Sequence, residues 1–247
     1  MENGGGGEHR PWMFDDETSD IYRKFVLLHH ELIPYIYSQA AYSYELVKPT
    51  MRPQPGTYQY MLGDDILVAP FFEEGNERTV TFPKGEWIYM FDESKVYTGG
   101  IKKLTFALDE FPVFIRKGAI LPLAVTDDVN GHGSALSADY TTVLMYPEKG
   151  EKQFGLYEED KQGTMITYGK GSDTLKITAT ASDRSLLFSV RGEDTPVSVV
   201  SGEGTALPQA VSMAELVTLP SGWFNEGGIT WYAVKDVTAG AEIYVTY

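Results

Sequence analysis

Residues 60–70, YMLGDDILVAP, and residues 79–91, TVTFPKGEWIYMF, decide how this chain is read. Inside them, 66–70, 79–83 and 87–91 are short runs of β-branched and aromatic residues bounded by Gly, Pro, Asp or Asn. That is the punctuation of antiparallel strands. Residues 104–108 and 113–116 continue the series. A second set follows Pro122, at 141–145, 153–157, 165–168, 174–179, 186–190, 197–200 and 242–246. Between the sets, residues 126–138 (TDDVNGHGSALSA) are small and polar, and read as the connection between two sandwiches.

Upstream of Lys48-Pro49 the period changes. Ile21, Phe25, Leu28, Leu32, Ile36, Ala40, Tyr44 and Val47 recur at three- and four-residue steps, the stripe of one helix face. Asp15, Asp16, Glu17 and Asp20 crowd the first turn, where carboxylates complement exposed amides. Pro34 deletes a backbone hydrogen bond and is expected to kink or split the helix. Val26, Leu27 and Ile33 lie off the stripe, so packing is expected on more than one side. Ahead of the helix stands GGGGEHRPW, residues 4–12. A solvated terminus has no need of an indole.

Composition removes several classes of function. The chain has 247 residues, is 43% hydrophobic and carries a formal charge of −15. No apolar run is long enough to span a bilayer. Lys and Arg form no basic block, which argues against nucleic acid. Without cysteine there are no disulfides, thiolate metal sites or thiol nucleophiles. The first residues lack the basic flank and apolar core of a signal peptide, which leans toward the cytoplasm. Nothing calls for a cofactor or a metal.

Several ordered motifs together carry a resemblance: EHRPW (8–12), LLHHELIPYIYSQAAYSYE (27–45), residues 60–70, PKGEW (83–87), FPVFIRKG (111–118) and FGLYEED (154–160). The series is similar to the C-terminal part of glycoside hydrolase family 31, the α-glucosidases, α-xylosidases and related transglycosidases. In that family a (β/α)8 barrel is followed by two β-sandwiches. The resemblance implies a mainly β chain: residues 1–47 as the last loop and helix of the barrel, 48–125 as a proximal sandwich and 126–247 as a distal one. It implies that Met1 is an internal methionine of a longer protein, or the start of a split gene. Loops on that face of a barrel bind substrate.

Retaining glycosidases need two carboxyl groups about 5–5.5 Å apart. In family 31 both are barrel aspartates upstream of the matched portion, and the nucleophile's usual surroundings occur nowhere here. The catalytic pair is therefore expected to be missing. Asp64-Asp65 reads as a turn or cap, and Glu158-Glu159-Asp160 as a hairpin turn rather than a calcium loop. The resemblance points to His9 or Asn3 as a sugar contact. Trp12 lines the active-site mouth or anchors the loop against the helix, the anchor being the reading preferred. His29 and His30 read as packing or surface residues, and His132 as solvated linker. Trp87 reads as sandwich core. Trp223 and Trp231 flank a turn signal and are the candidate sugar platform, although core packing is the usual use of strand tryptophans.

Two functions compete. One is the C-terminal region of an α-glycosidase, meeting α-linked oligosaccharide only through the missing barrel and prone to self-associate through barrel-facing surface. The other is a free-standing carbohydrate-binding sandwich.

Overall fold

The computed structural model describes residues 10–158 and 161–247. It is mainly β, with the helical segment at the start. Pro11–Met13 is a single 3-10 turn, and α1 (Asp16–Glu31) begins at Asp15, whose carboxylate accepts from the Thr18 N–H at 2.7 Å. The helix breaks at Leu32 and restarts as α2 (Ile33–Leu46), with Pro34 in its first turn. Proline is tolerated there because those amides have no intrahelical acceptor. One face carries Leu28, Leu32 and Tyr35 into the core, with Phe25 and Ile36 packed beside them.

The first β unit comprises β1 (Met51–Pro53), β2 (Tyr60–Leu62), β3 (Ile66–Val68), β4 (Glu77–Tyr89), β5 (Asp92–Thr105) and β6 (Val113–Arg116), ordered β1-β2-β3-β6-β4-β5 and antiparallel throughout. The run 79–83 and residues 87–89 belong to one long strand that bends where the register slips between Phe82 and Glu86, and residues 90–91 turn into β5. Only Trp87, Ile88 and Tyr89 pair with β6. The earlier half folds back, so that Phe82 meets Phe114 of β6 edge-on at 4.8 Å. The unit thus encloses its own core of Val80, Phe82, Trp87, Tyr89, Phe106 and Phe114.

The second unit is a sandwich of two five-stranded sheets. Its strands are β7 (Ile120–Leu123), β8 (Tyr140–Met145), β9 (Gly150–Glu158), β10 (Lys161–Lys170), β11 (Thr174–Ala179), β12 (Ser185–Arg191), β13 (Ser198–Ser201), β14 (Ser221–Glu226), β15 (Ile229–Val234) and β16 (Ala241–Thr246). The orders are β13-β16-β11-β10-β9 and β14-β15-β12-β8-β7, with β8 and β12 parallel. One short helix, α3 (Met213–Leu216), precedes β14. The β14–β15 hairpin turns on Gly227 and Gly228, both at positive φ, as a two-residue turn of this hand requires.

Residues 126–138 do not link two sandwiches. They connect β7 to β8, antiparallel neighbours in one sheet, so the strand just before residue 126 already belongs to the second unit. The stretch is small and polar because it folds back over α1. His132, expected in solvent, is buried there: its Nδ1 lies 2.7 Å from Glu31 Oε2, and Asn130 Nδ2 donates to Glu31 Oε1 at 3.2 Å. Glu31 is itself buried, and a carboxylate so placed must be paired.

Helix and sheets share one hydrophobic core. Leu32 and Tyr35, Ile66 and Ile115 of the first unit, and Phe154, Ile166, Phe188 and Tyr232 of the second belong to the same cluster. Along the outer strand β9, the N–H groups of Gly155 and Tyr157 donate to the Tyr42 and Ser38 hydroxyls at 2.8 and 2.9 Å. Both groups would otherwise be unpaired at a sheet edge.

Candidate functional site

The residues that the sequence ties to substrate lead into α1. Asn3 and His9 lie outside the described residues. Trp12 is 70% exposed, next to exposed Met13 and Phe14. It does not serve as the expected anchor, because an indole packed on the helix would have lost most of that surface.

From this turn an apolar strip continues along the helix opposite its buried face. Val26, Ile33 and Tyr37 are exposed, then Ala40, and then Tyr44, which is 91% exposed. The spacing of seven, four, three and four residues keeps them on one side of the two helices. The segment is therefore two-faced: one apolar side is packed on the β units and the other is open. Among the described residues no helix is long and apolar enough to cross a membrane.

Asp64 and Asp65 occupy the β2–β3 turn. Lys48 Nζ and Arg52 Nη2 each stand 2.6 Å from Asp64 Oδ1, and Lys152 Nζ of β9 stands 2.7 Å from Asp65 Oδ1. Burial alone would raise the Asp64 pKa. The hydrogen bond and charge of Lys48, with the charge of Arg52, hold it below the usual carboxylate value instead. Asp65 is buried, and that burial pushes its carboxyl up despite Lys152. The turn is locked to the helix through Tyr35, whose hydroxyl donates to the Leu62 carbonyl at 3.0 Å and accepts from the Asp65 N–H at 3.2 Å. Gly63 has φ +63°, and a Cβ there would stand 2.3 Å from that hydroxyl. The pair thus closes a junction between turn, helix and sandwich.

The remaining candidates divide plainly. Trp87 is core, its Nε1 donating to the Pro83 carbonyl at 2.9 Å. Trp223 and Trp231 are each only 7% exposed and belong to two different core clusters, so they fill volume and do not form one flat surface. His29 and His30 are exposed. Glu158 ends β9 and pairs with Arg184 at 2.6 Å, while Glu159 and Asp160 lie outside the described residues. Among the described residues no three His, Cys, Asp or Glu side chains are grouped to hold a metal. Sequence reasoning missed Ser38 and Tyr42, the hydroxyls that meet β9. Their only signal was polar side chains recurring within an otherwise apolar helix face.

Against known proteins, residues 40–121 match the family described as Glycosyl hydrolase family 31 C-terminal domain. The chain is 28% identical over 211 residues to alpha-glucosidase 2 of Bacillus thermoamyloliquefaciens, covering 80% of this chain and 25% of that protein. It is 32% identical over 174 residues to an alpha-xylosidase of Saccharolobus solfataricus, covering 65% of this chain and 23% of that one. Its fold is that found in the cycloalternan-forming enzyme of Listeria monocytogenes, with TM-score 0.86 and 23% identity over 98% of this chain and 25% of the other. Fold and matches define the class: the chain corresponds to the C-terminal part of a glycoside hydrolase family 31 enzyme. It spans 25% or less of the length of these three proteins.

Proposed function

We propose that this chain is the C-terminal region of a retaining α-glycosidase, and that the catalytic aspartates lie in a preceding barrel segment. Residues 1–47 are the barrel's last loop and helix, followed by the proximal and distal sandwiches. One barrel carboxylate attacks the anomeric carbon while the other protonates the leaving oxygen, and water then releases the sugar. This chain's part is mechanical. It clamps α1 and α2 from one side, so that the loop bearing Trp12 is presented to the α-linked oligosaccharide in a fixed position.

The observation that carries the reading is the open apolar side of the helix, which a free-standing protein has no reason to keep. Burying it against barrel strands would contribute about 25 cal/mol for each Å² removed from water. In the isolated chain the same side drives self-association. A free-standing sugar-binding role for Trp223 and Trp231 has no exposed ring faces to rest on.

The test is incubation of the purified chain with 4-nitrophenyl α-glucoside and α-xyloside. No turnover above buffer is expected. Turnover that disappears when one of the chain's own carboxylates is changed would overturn the proposal.

A further inference from the structure

Away from the helix, the first β unit holds a cleft of about 550 Å³ between the turn at residues 56–57 and the loop at 71–77. That volume falls within the range of small-molecule sites. Phe72, Glu73, Glu74, Asn76, Glu77 and Lys103 are among its lining residues. Phe72 is 43% exposed, and next to it Tyr58 is 71% exposed. The two ring centroids lie 4.9 Å apart at 58°, so the rings form an open angle with wet faces.

Neither ring is loose. Tyr58 has φ +46°, a left-handed conformation that costs a residue with a side chain on the order of 1 kcal/mol and that survives only where its surroundings enforce it. Buried Gln59, bonded to Thr81 through both ends of its amide, holds one side of Tyr58, and Arg78 holds the other. Arg78 is 5% exposed, and its guanidinium lies 4.6 Å from the Phe72 ring centroid. It donates to the carbonyls of Ala69 at 3.2 Å, of Thr79 at 3.1 Å, and of Thr57, the residue before Tyr58. One buried cation, bonded to three carbonyls, therefore seats the Phe72 ring and pins the backbone that carries Tyr58.

The chemistry around the rings selects a ligand. Glu77 is engaged by Lys103 at 2.8 Å, whereas among the described residues Glu74 makes no hydrogen bond or ion pair. Three carboxylates outnumber the Lys103 ammonium and the buried Arg78 guanidinium, and this negative excess disfavours phosphates and other anions. Carboxylates accept hydrogen bonds from hydroxyls, and an exposed ring offers an apolar face. A neutral ligand with one C–H face and many hydroxyls satisfies both.

We propose that this cleft is an accessory binding site for a neutral oligosaccharide of α-linked glucose units. Tyr58 and Phe72 stack on it, and Glu73 and Glu74 accept from its hydroxyls. The linkage and sugar rest on the proposed α-glycosidase reading. The site itself rests on the two rings and Arg78. It holds an oligosaccharide outside the barrel.

The experiment titrates the purified 247-residue chain with maltotetraose, isomaltotetraose and cellotetraose by isothermal calorimetry. One of the two α-linked sugars is expected to bind, and Tyr58→Ala and Phe72→Ala each to weaken it about tenfold or more, equivalent to 1.4 kcal/mol. Phe72→Tyr, which keeps the ring, is expected to leave it within about twofold. Tyr58 is mostly exposed, so thermal unfolding of Tyr58→Ala should match wild type, and Phe72→Tyr keeps the ring over Arg78 so that binding is read apart from folding at that position. No binding at about 10 mM sugar, or binding indifferent to both alanine variants, overturns the site. Equal binding of cellotetraose overturns its α-glucan assignment. Neither result bears on the hydrolysis assay, so the two proposals fail separately.

Discussion

Replacing Tyr35 by Phe removes a single oxygen from the junction of helix, turn and sandwich. Tyr35 has no exposed surface, and its ring stacks on Phe154 at 5.6 Å. Phenylalanine keeps the ring, the stack and nearly all the volume. It loses the two hydrogen bonds that tie the hydroxyl to Leu62 and Asp65. Each polar group stranded in the interior costs about 1–3 kcal/mol, set against the small gain from no longer burying the hydroxyl itself. The expected net loss is about 2–4 kcal/mol, a large share of the 5–15 kcal/mol typical of a folded domain. Burial, followed by the charge of Asp65, pushes the phenol far above its ordinary pKa. The hydroxyl therefore stays protonated across the workable range, and the loss should not change over about three pH units around neutrality. Urea unfolding followed by tryptophan fluorescence and far-ultraviolet dichroism measures it, with the slope unchanged and the midpoint lowered. Tyr35→Leu should cost more, because it also loses ring volume. A Tyr35→Phe variant within about 0.5 kcal/mol of wild type would refute the claim that the hydroxyl bridges the junction.

Three other outcomes follow from the same geometry. Among the described residues, His132→Ala leaves the buried Glu31 carboxylate with Asn130 alone, and should cost about 3 kcal/mol in urea, more than the same change at exposed His29. Gly155→Ala would place a Cβ 2.1 Å from the Tyr42 hydroxyl. It should destabilise by about 1–3 kcal/mol despite the entropic advantage of alanine over glycine, and a neutral result would show that Tyr42 yields freely. Asp64 has a lowered folded pKa, so its stabilisation is present above the unfolded value of 3.8 and is lost as pH falls through the folded one. The stability gap between wild type and Asp64→Asn should therefore close in acid. At neutral pH it should stay below about 1 kcal/mol, because the pair is half exposed.

Local patterns made much of this architecture readable. The run 174–179 forms β11 with those same bounds, and Pro34 marks the helix break, because both depend on neighbouring residues. What escaped depends on distant partners. Nothing near His132 announces Glu31, 101 positions away. Residues 126–138 have a linker's composition, yet serve as a connection within a sheet, since small polar residues suit either. Strand β14, SGWFNE, opens with Ser and Gly and shows no alternation, so only its hairpin turn was visible. Tyr58 and Phe72 are fourteen positions apart in polar surroundings, and the guanidinium that unites them belongs to a strand that reads as ordinary.

The way α2 meets β9 sets the tolerance of this protein to insertion. Four helical residues rise about 6.0 Å and two strand residues about 6.6 Å, so Ser38 and Tyr42 on the helix fall in step with Tyr157 and Gly155 on the strand, running in opposite directions. The fit works like a zip fastener with two teeth. Added residues in the loops between them leave it closed, but one extra residue between 38 and 42, or between 155 and 157, throws both teeth out of phase at once. A gene cut between the helix and the sheets would part the fastener too, and the edge of β9 would be free to seek another strand. A workable boundary for this unit therefore lies ahead of α1, even though the helix is built like part of something else.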